Sequence, residues 1–204
     1  MRRELIAVLI VLGAAGAFAR TARADTVAPL PVADAERVVA EERDFLTDFL
    51  WVGMDGCWHE GDWESCLRLC REIILLEPHF VDAYTGGAWV LWSNDRDKEA
   101  EALYQQGIAA NPGDPDLYFE CGFFYRERKQ YDKAVAMFRL VVKYGGTKPQ
   151  QRMLPNTLEE AGRKQEALAE WRKLSQRFPE DIIAKNKIAR LERELYPRPP
   201  TQKP

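Results

Sequence analysis

The chain has 204 residues, of which 30% are charged and 46% hydrophobic, and its formal net charge at pH 7 is -3. This is the composition of a chain that folds in water, and the length suits one domain of ordinary size. The charge balance excludes the strongly basic surface with which many proteins bind nucleic acid.

The first 24 residues have the pattern of a secretory signal peptide. A positive start, Met1-Arg2-Arg3, precedes an apolar run from Leu5 to Ala19, and Ala22-Arg23-Ala24 is a small-x-small cleavage site. We predict cleavage after Ala24 and export to the periplasm or the extracellular space. The alternative is an uncleaved anchor that tethers the protein to a membrane, although the apolar run of about 15 residues is shorter than the roughly 20 of a spanning helix.

Residues 25–33 are predicted to be a short linker, and residues 34–195 a helical repeat domain. The linker contains Pro29 and Pro31. Asp34 is a favourable N-cap residue, and the apolar residues that follow it have helical spacing. We therefore predict a first helix from Asp34 to about Trp58.

The region from residue 47 to residue 181 repeats with a period of 34. Each copy has one small residue in an equivalent position: Cys66, Ala100, Ala134 and Ala167. Four residues later stand Cys70 and three large aromatic residues: Tyr104, Phe138 and Trp171. A chain-breaking residue follows in each copy: Pro78, Pro112, Gly146 and Pro179. The steps from copy to copy are 34, 34 and 33 residues, and a fixed period of this size indicates a stack of like supersecondary units.

Each copy reads as two helices joined by turns. In the third copy, Asp114 is an N-cap followed by Pro115 at the first helical position, and Gly145-Gly146 ends the second helix. In the fourth copy, Pro155 lies inside the first helix, which we therefore expect to be broken or to begin late.

A last helix is predicted over residues 182–195. It would cap the stack through Ile182, Ala189 and Leu191, because a terminal repeat without a cap exposes its core. Residues 196–204 are rich in proline and are predicted to be disordered.

The repeated residues resemble the tetratricopeptide repeat family, with copies at Thr47–Phe80, Val81–Asp114, Pro115–Lys148 and Lys148–Asp181. The resemblance covers about two thirds of the chain. It implies an all-α fold, namely a right-handed solenoid of helical hairpins with about four repeats and a C-terminal capping helix.

The resemblance also implies which side chains face the concave surface of the stack, all of them on the first helix of a copy. Those predicted to bind a partner are Trp51, Asp55, Trp58, Trp89, Trp92, Phe119, Phe123 and Arg126. We expect the six aromatic rings to be exposed and to form a groove for a partner protein or an extended peptide, because soluble monomers rarely keep a large apolar patch without a use. The alternative is that the helix at residues 34–48, or the superhelix itself, covers these rings.

The cysteines Cys57, Cys66 and Cys70 fall within the first copy. If the chain is exported, a disulfide between Cys57 and either Cys66 or Cys70 is predicted to join the two helices of that copy. The alternative is that the cysteines are small buried apolar residues. A zinc site that includes His59 is not favoured, because its spacing matches no known zinc ribbon or finger.

The sequence contains no Ser-His-Asp or Cys-His pairing and no glycine-rich phosphate loop after a strand. We therefore predict no enzymatic activity and no cofactor. The predicted function is that of an exported scaffold that binds a protein or peptide partner, with no nucleic acid. The alternative is a membrane-tethered structural subunit of an envelope assembly complex, and a membrane is involved only if the N-terminal apolar segment is retained.

Overall fold

The computed structural model describes residues 32–197, with side chains from residue 36 onward. The predicted signal peptide, residues 25–31 of the predicted linker and the tail beyond Pro197 lie outside the described residues. The chain divides into two units, residues 1–42 and residues 43–204. Of the first unit the structure describes a helical stretch, in which Arg37 and Glu41 form an ion pair at 2.9 Å.

Every regular element between residues 32 and 197 is an α-helix, as predicted. The helices are α1 (Val32–Glu60), α2 (Trp63–Leu76), α3 (Val81–Ser93), α4 (Asp97–Ala110), α5 (Pro115–Glu127), α6 (Tyr131–Lys143), α7 (Lys148–Gln151), α8 (Met153–Glu160), α9 (Lys164–Arg177) and α10 (Ile182–Leu195). None of these helices combines the length and the apolar character that crossing a membrane requires.

Helix α1 starts before its predicted first residue. The helix begins at Val32, so Asp34 lies within its first turn and is not the N-cap. An acidic residue is favoured in the first turn of a helix as well as at the cap. The sequence pattern therefore did not distinguish between these two positions.

The repeated small and aromatic residues form the core of the second unit. The four equivalent small residues and the four residues that follow them by one helical turn are all buried: Cys66, Ala100, Ala134, Ala167, Cys70, Tyr104, Phe138 and Trp171. They lie on one stripe of each second helix, at the spacing that places side chains on a single helix face. The 34-residue period therefore reflects core positions that recur in each repeat.

Two of the turns between repeats are held by a tyrosine of the following helix. The hydroxyl of Tyr84 donates a hydrogen bond to the carbonyl of Pro78 at 3.0 Å, and the hydroxyl of Tyr118 donates to the carbonyl of Pro112 at 2.7 Å. Each tyrosine is almost fully buried. The carbonyl before the new helix is therefore paired although it lies outside the helical ladder.

The first helix of the fourth repeat is broken, as predicted from Pro155. A four-residue helix, α7, ends at Gln151, and α8 begins at Met153. Pro155 is the third residue of α8, where the missing N–H would have had no partner within the helix. The interruption at Arg152 therefore places the proline in the first turn of a new helix and not in the middle of an old one.

Helix α10 caps the repeat stack, although not through all of the predicted residues. Leu191 is fully buried, but Ile182 is 69% exposed and Ala189 is also exposed. The side chains that pack inward are Ala184, Ile188, Leu191 and Leu195. These positions follow one another at three or four residues, whereas Ile182 and Ala189 lie off that stripe.

Candidate functional site

The side chains predicted to form a groove come from helices α1, α3 and α5. Helices α3 and α5 pack against each other. Trp58 at the end of α1 packs against Trp89 of α3, with 4.4 Å between the ring centroids and an angle of 35° between the ring planes. Trp89 and Phe123 occupy equivalent positions 34 residues apart on α3 and α5. The three rings therefore belong to one surface, which we call the aromatic face and define by Trp58, Trp89 and Phe123.

Tryptophans form a continuous row along this part of the molecule. The ring centroids of Trp63 and Trp58 are 5.8 Å apart, and those of Trp89 and Trp92 are also 5.8 Å apart. Both pairs meet edge to face, an arrangement that the ring quadrupole favours. Each indole thus covers part of its neighbour.

The six predicted rings are less exposed than expected. Trp89 is 37% exposed, whereas the other five rings are each half-buried. Trp51 packs against Phe80 at 5.3 Å between centroids, and Phe119 packs against Phe138 at 6.2 Å. Exposure was overestimated because ring-to-ring packing between helices cannot be seen in a single helical period.

The six predicted rings divide into two groups. Trp51, Trp58, Trp92 and Phe119 are half-buried and pack against the core, whereas Trp89 is exposed and the half-buried Phe123 does not pack against the core. Trp89 and Phe123 are therefore the two predicted groove aromatics whose surface is not used by the core of the protein.

Arg126 is not a free cation. Its guanidinium donates to both carboxylate oxygens of Glu160, and the Nε–Oε2 distance is 2.8 Å. The same guanidinium lies 6.0 Å from the centroid of the Phe123 ring. Its partner is 34 residues away, so the interaction joins the first helices of two neighbouring repeats.

Arg128 is a residue that the sequence analysis missed. Its guanidinium donates to both carboxylate oxygens of Asp97 at 2.7 Å and to the carbonyl of Trp92 at 2.9 Å. It also lies 5.2 Å from the centroid of the Trp92 ring. Arg128 thereby fixes Trp92 in place, and the indole Nε1 of Trp92 is buried without a hydrogen-bond partner.

The sequence did contain a signal for Arg128. An arginine occurs in the turn between the helices of three successive repeats, and each pairs with an acidic residue in the first turn of the preceding second helix: Arg96 with Glu64, Arg128 with Asp97 and Arg163 with Asp132. The partners are 31 or 32 residues apart. A search for opposite charges at nearly one period would have found them.

Carboxylates accompany the aromatic face. Asp55 is exposed and lies 3.6 Å from the imidazole of His59. Asp116 accepts a hydrogen bond from Gln150 at 2.5 Å. Glu120 is half-buried on α5, and burial, together with the neighbouring Asp116 carboxylate, raises its pKa. The surface beside the rings is therefore acidic.

The four cysteines are free thiols in this structure. Cys57 is half-buried, whereas Cys66, Cys70 and Cys121 are buried, and the sulfur of Cys66 lies 3.6 Å from the carbonyl oxygen of Met54. Burial raises the pKa of Cys70 and of Cys121 to about 12. These two thiols are therefore not activated nucleophiles. The disulfide of Cys57 with Cys66 or Cys70 stays a prediction.

Within residues 36–197, no group of three or more His, Cys, Asp or Glu side chains is arranged to hold a metal ion. The aromatic face and its surroundings offer apolar ring area, carboxylates and a paired arginine. Aromatic rings of this kind supply contact area at a small cost in rotamer entropy.

Comparison with known proteins relates both the sequence and the fold to one family. A family model described as Tetratricopeptide repeat matches residues 98–154. Curated protein sequences contain no match to the chain.

Solved structures share the fold at low sequence identity. They include pilF of Pseudomonas aeruginosa, with 18% identity, 76% of this chain and 71% of that chain covered and a TM-score of 0.59. The MamA protein has 13% identity, coverage of 72% and 80% and a TM-score of 0.56. YrrB, described as a TPR protein with an unusual peptide-binding site, has 17% identity, coverage of 71% and 75% and a TM-score of 0.53.

Proposed function

We propose that this chain, which matches the tetratricopeptide repeat model over residues 98–154 and shares the fold of such proteins, is an exported scaffold that binds a partner protein or an extended peptide on the aromatic face. Export rests on the signal-peptide pattern of residues 1–24. Binding on the aromatic face rests on the rings that the core does not use.

The observation that carries the proposal is the solvent exposure of the Trp89 ring. Its ring is 37% exposed and lies beside the ring of Trp58, with 4.4 Å between the centroids. Phe123 occupies the equivalent position one repeat later and lies outside the core cluster. Aromatic rings that do not stabilise the core and lie in one surface are typical of a binding site.

The similarity to YrrB is consistent with this role. That protein is described as having a peptide-binding site and shares the fold of this chain. At 17% identity the comparison supports the class of function and not a particular partner.

The experiment uses a photo-crosslinking phenylalanine analogue, introduced in cells at position 89 and, as a control, at position 75. Leu75 is 82% exposed on α2 and does not belong to the aromatic face. We expect a partner to be captured from position 89 and not from position 75. Equal capture at both positions would contradict the proposal.

Binding of the purified partner is then compared between the parent, a Trp89→Ala/Phe123→Ala variant and a Leu75→Ala variant. Loss of two hot-spot rings should weaken binding by at least about tenfold, which corresponds to about 1.4 kcal/mol. The Leu75→Ala variant should bind like the parent. Unchanged affinity of the double variant would refute the aromatic face as the binding surface.

The alternative role, a membrane-tethered subunit of an envelope assembly complex, is separated from the scaffold by the state of the N-terminus. N-terminal sequencing of the mature protein should begin at Asp25 if the signal peptide is cleaved. A protein that retains Met1 or Arg2 and fractionates with membranes would instead favour the tethered subunit.

A further inference from the structure

Carboxylates recur beside the aromatic face at the period of the repeat. Asp48, Asp82 and Asp116 lie 34 residues apart on the first helices α1, α3 and α5, and all three are exposed. One carboxylate therefore accompanies each successive helix of this surface. Asp55 on α1 and Glu120 on α5 are two further carboxylates on these helices.

Most of these carboxylates have no cationic partner. Asp48, Asp82 and Glu120 form no ion pair and accept no side-chain hydrogen bond within residues 36–197, and the partner of Asp116 is the neutral amide of Gln150. Arg126, which belongs to the same helices, is already engaged by Glu160.

Acidic residues on the second helices and in the turns are more often paired with cations. Five carboxylates there pair with a cation from a neighbouring repeat: Glu64 with Arg96, Asp97 with Arg128, Glu101 with Lys133, Asp132 with Arg163 and Glu180 with Lys148. Glu99 and Glu166 pair with an arginine of their own repeat. Among the described residues, unpaired carboxylates are thus more frequent on the first helices, which carry Trp89 and Phe123, than on the second helices.

Helix stabilisation explains only part of this pattern. Asp82 and Asp116 lie in the first turns of α3 and α5, where a negative charge interacts favourably with the helix dipole. Asp48 lies in the interior of α1, and Glu120 lies in the second turn of α5, where burial raises its pKa. A half-buried carboxylate without a partner lowers stability unless a cation arrives from outside.

We propose that the segment held on the aromatic face is basic: an extended stretch of a partner protein with Lys or Arg side chains at intervals of about three residues. The proposal rests on the binding role proposed above and names the chemistry of the partner. Cationic side chains pair with the row of carboxylates and also interact with the faces of Trp89 and Phe123, a contact of about 0.5 to 2 kcal/mol for each ring.

The interval of about three residues between cations follows from the spacing of the repeats. Packed helices lie about 8 to 10 Å apart. An extended chain in the polyproline II conformation has three residues per turn and advances about 3.1 Å per residue, so every third side chain lies on one face at a spacing of about 9 Å. One cation about every three residues would therefore meet one carboxylate per repeat.

The test uses three fluorescently labelled peptides of about 12 residues that differ only at every third position, which is Lys, Gln or Glu. Binding is measured by fluorescence anisotropy on the full mature chain. The Lys peptide should bind at least about tenfold more tightly than the Gln peptide, the Glu peptide should bind most weakly, and the preference should shrink between about 50 and about 300 mM salt. A Lys peptide that binds no better than the Gln peptide overturns the proposal.

Two triple variants separate position from net charge. The first, Asp48→Asn/Asp82→Asn/Asp116→Asn, removes the row, and the second, Glu64→Gln/Asp132→Asn/Glu180→Gln, removes the same charge from exposed pairs elsewhere. The first should lose at least about tenfold in affinity for the Lys peptide and the second less than about twofold. Equal losses would mean that net charge alone attracts the peptide, which overturns the proposal.

The partner captured through position 89 shows whether only the basic-segment proposal fails or whether the proposed binding role fails as well. If the first triple variant binds that partner like the parent while Trp89→Ala/Phe123→Ala does not, the aromatic face binds but the basic segment is wrong. If neither change affects the partner, the binding role itself is wrong.

Discussion

The indole rings of Trp58 and Trp89 pack against each other across the boundary of the first two repeats, with 4.4 Å between their centroids. The two rings nevertheless have different roles. Trp58 also packs against the buried core and against Trp63, whereas Trp89 is 37% exposed and lies outside the core cluster. Trp58 therefore contributes mainly to the stability of the fold, whereas part of the Trp89 ring remains accessible to a partner.

This difference predicts unequal costs for the two alanine substitutions. Trp58→Ala should lower the free energy of unfolding by about 2 to 3 kcal/mol, because it removes a ring that contacts the core. Trp89→Ala should lower it by about 1 kcal/mol or less, since most of its lost contact is with other rings. Urea denaturation of both variants measures the difference, and a larger loss for Trp89→Ala would contradict this division of roles.

Two helical glycines predict opposite responses to alanine. A Cβ at Gly122 would lie 2.8 Å from Cε1 of the fully buried Phe138 ring, whereas a Cβ at Gly56 would meet no atom within 4 Å. Gly122→Ala should destabilise the protein by about 1 to 2 kcal/mol through overpacking. Gly56→Ala should stabilise it by about 0.5 to 1 kcal/mol through helix propensity. Thermal denaturation should move the two melting temperatures in opposite directions, and a stabilised Gly122→Ala protein would show that the α5–α6 contact has room.

Asp181 predicts a loss of stability at acid pH. Its almost fully buried carboxylate accepts from both Nε and Nη2 of Arg152 and caps α10 through the backbone N–H groups of Ile183 and Ala184. The hydrogen bonds from Arg152 hold its pKa below the ordinary value. Because the folded state then binds the proton more weakly than the unfolded state, this stabilisation is present above about pH 4 and is lost as the pH falls through the folded pKa.

Asp181→Asn keeps an acceptor for the helix cap but removes the charge that pairs with Arg152. We expect it to cost about 1 to 2 kcal/mol at neutral pH and nothing once the parent carboxylate is protonated. Asp181→Ala should cost about 1 kcal/mol more, because the cap is also lost. Denaturant titrations at several pH values separate the two contributions, and a cost of Asp181→Asn that does not change with pH would exclude the ion pair as its source.

Glu120 predicts a pH dependence of the opposite sign. Burial raises the pKa of this unpaired carboxyl group, so the folded state binds the proton more tightly than the unfolded state. Stability should therefore fall as the pH rises from the unfolded pKa, roughly 4.3, through the folded pKa. Glu120→Gln should raise the free energy of unfolding at neutral pH by up to about 1 kcal/mol and leave it unchanged in acid. A destabilised Gln variant at neutral pH would mean that the carboxylate has a stabilising partner.

The cysteines predict a labelling pattern. In the folded protein a thiol reagent should modify Cys57 first, because Cys66, Cys70 and Cys121 are buried and burial raises the pKa of each. In denaturant, four labels are expected from reduced protein and two from exported protein in which Cys57 is oxidised with Cys66 or Cys70. Fast labelling of Cys70 in the folded state would show that α2 opens locally.

Much of the fold could be read from periodicity alone. The positions of Cys66, Ala100, Ala134 and Ala167 predicted a buried stripe on each second helix, and all four are fully buried. Pro155 predicted the interruption that appears at Arg152. Both are local effects, because the backbone geometry of a helix dictates which positions share a face and where a missing N–H can be tolerated.

The exposure and contacts of the individual aromatic rings could not be predicted from periodicity. Trp51 and Trp89 were predicted to lie on one exposed surface, yet Trp51 packs against Phe80 and only Trp89 remains outside the core. Arg126 was predicted to be available to a partner, but Glu160 of the next repeat already binds it. These contacts join residues about one repeat apart in the chain, so they exist only after the hairpins have stacked, and a helical period contains no information about them. The course of the helices thus follows from the order of residues, whereas the exposure of Trp89 and the pairing of Arg126 depend on which side chains the stacking brings within contact distance.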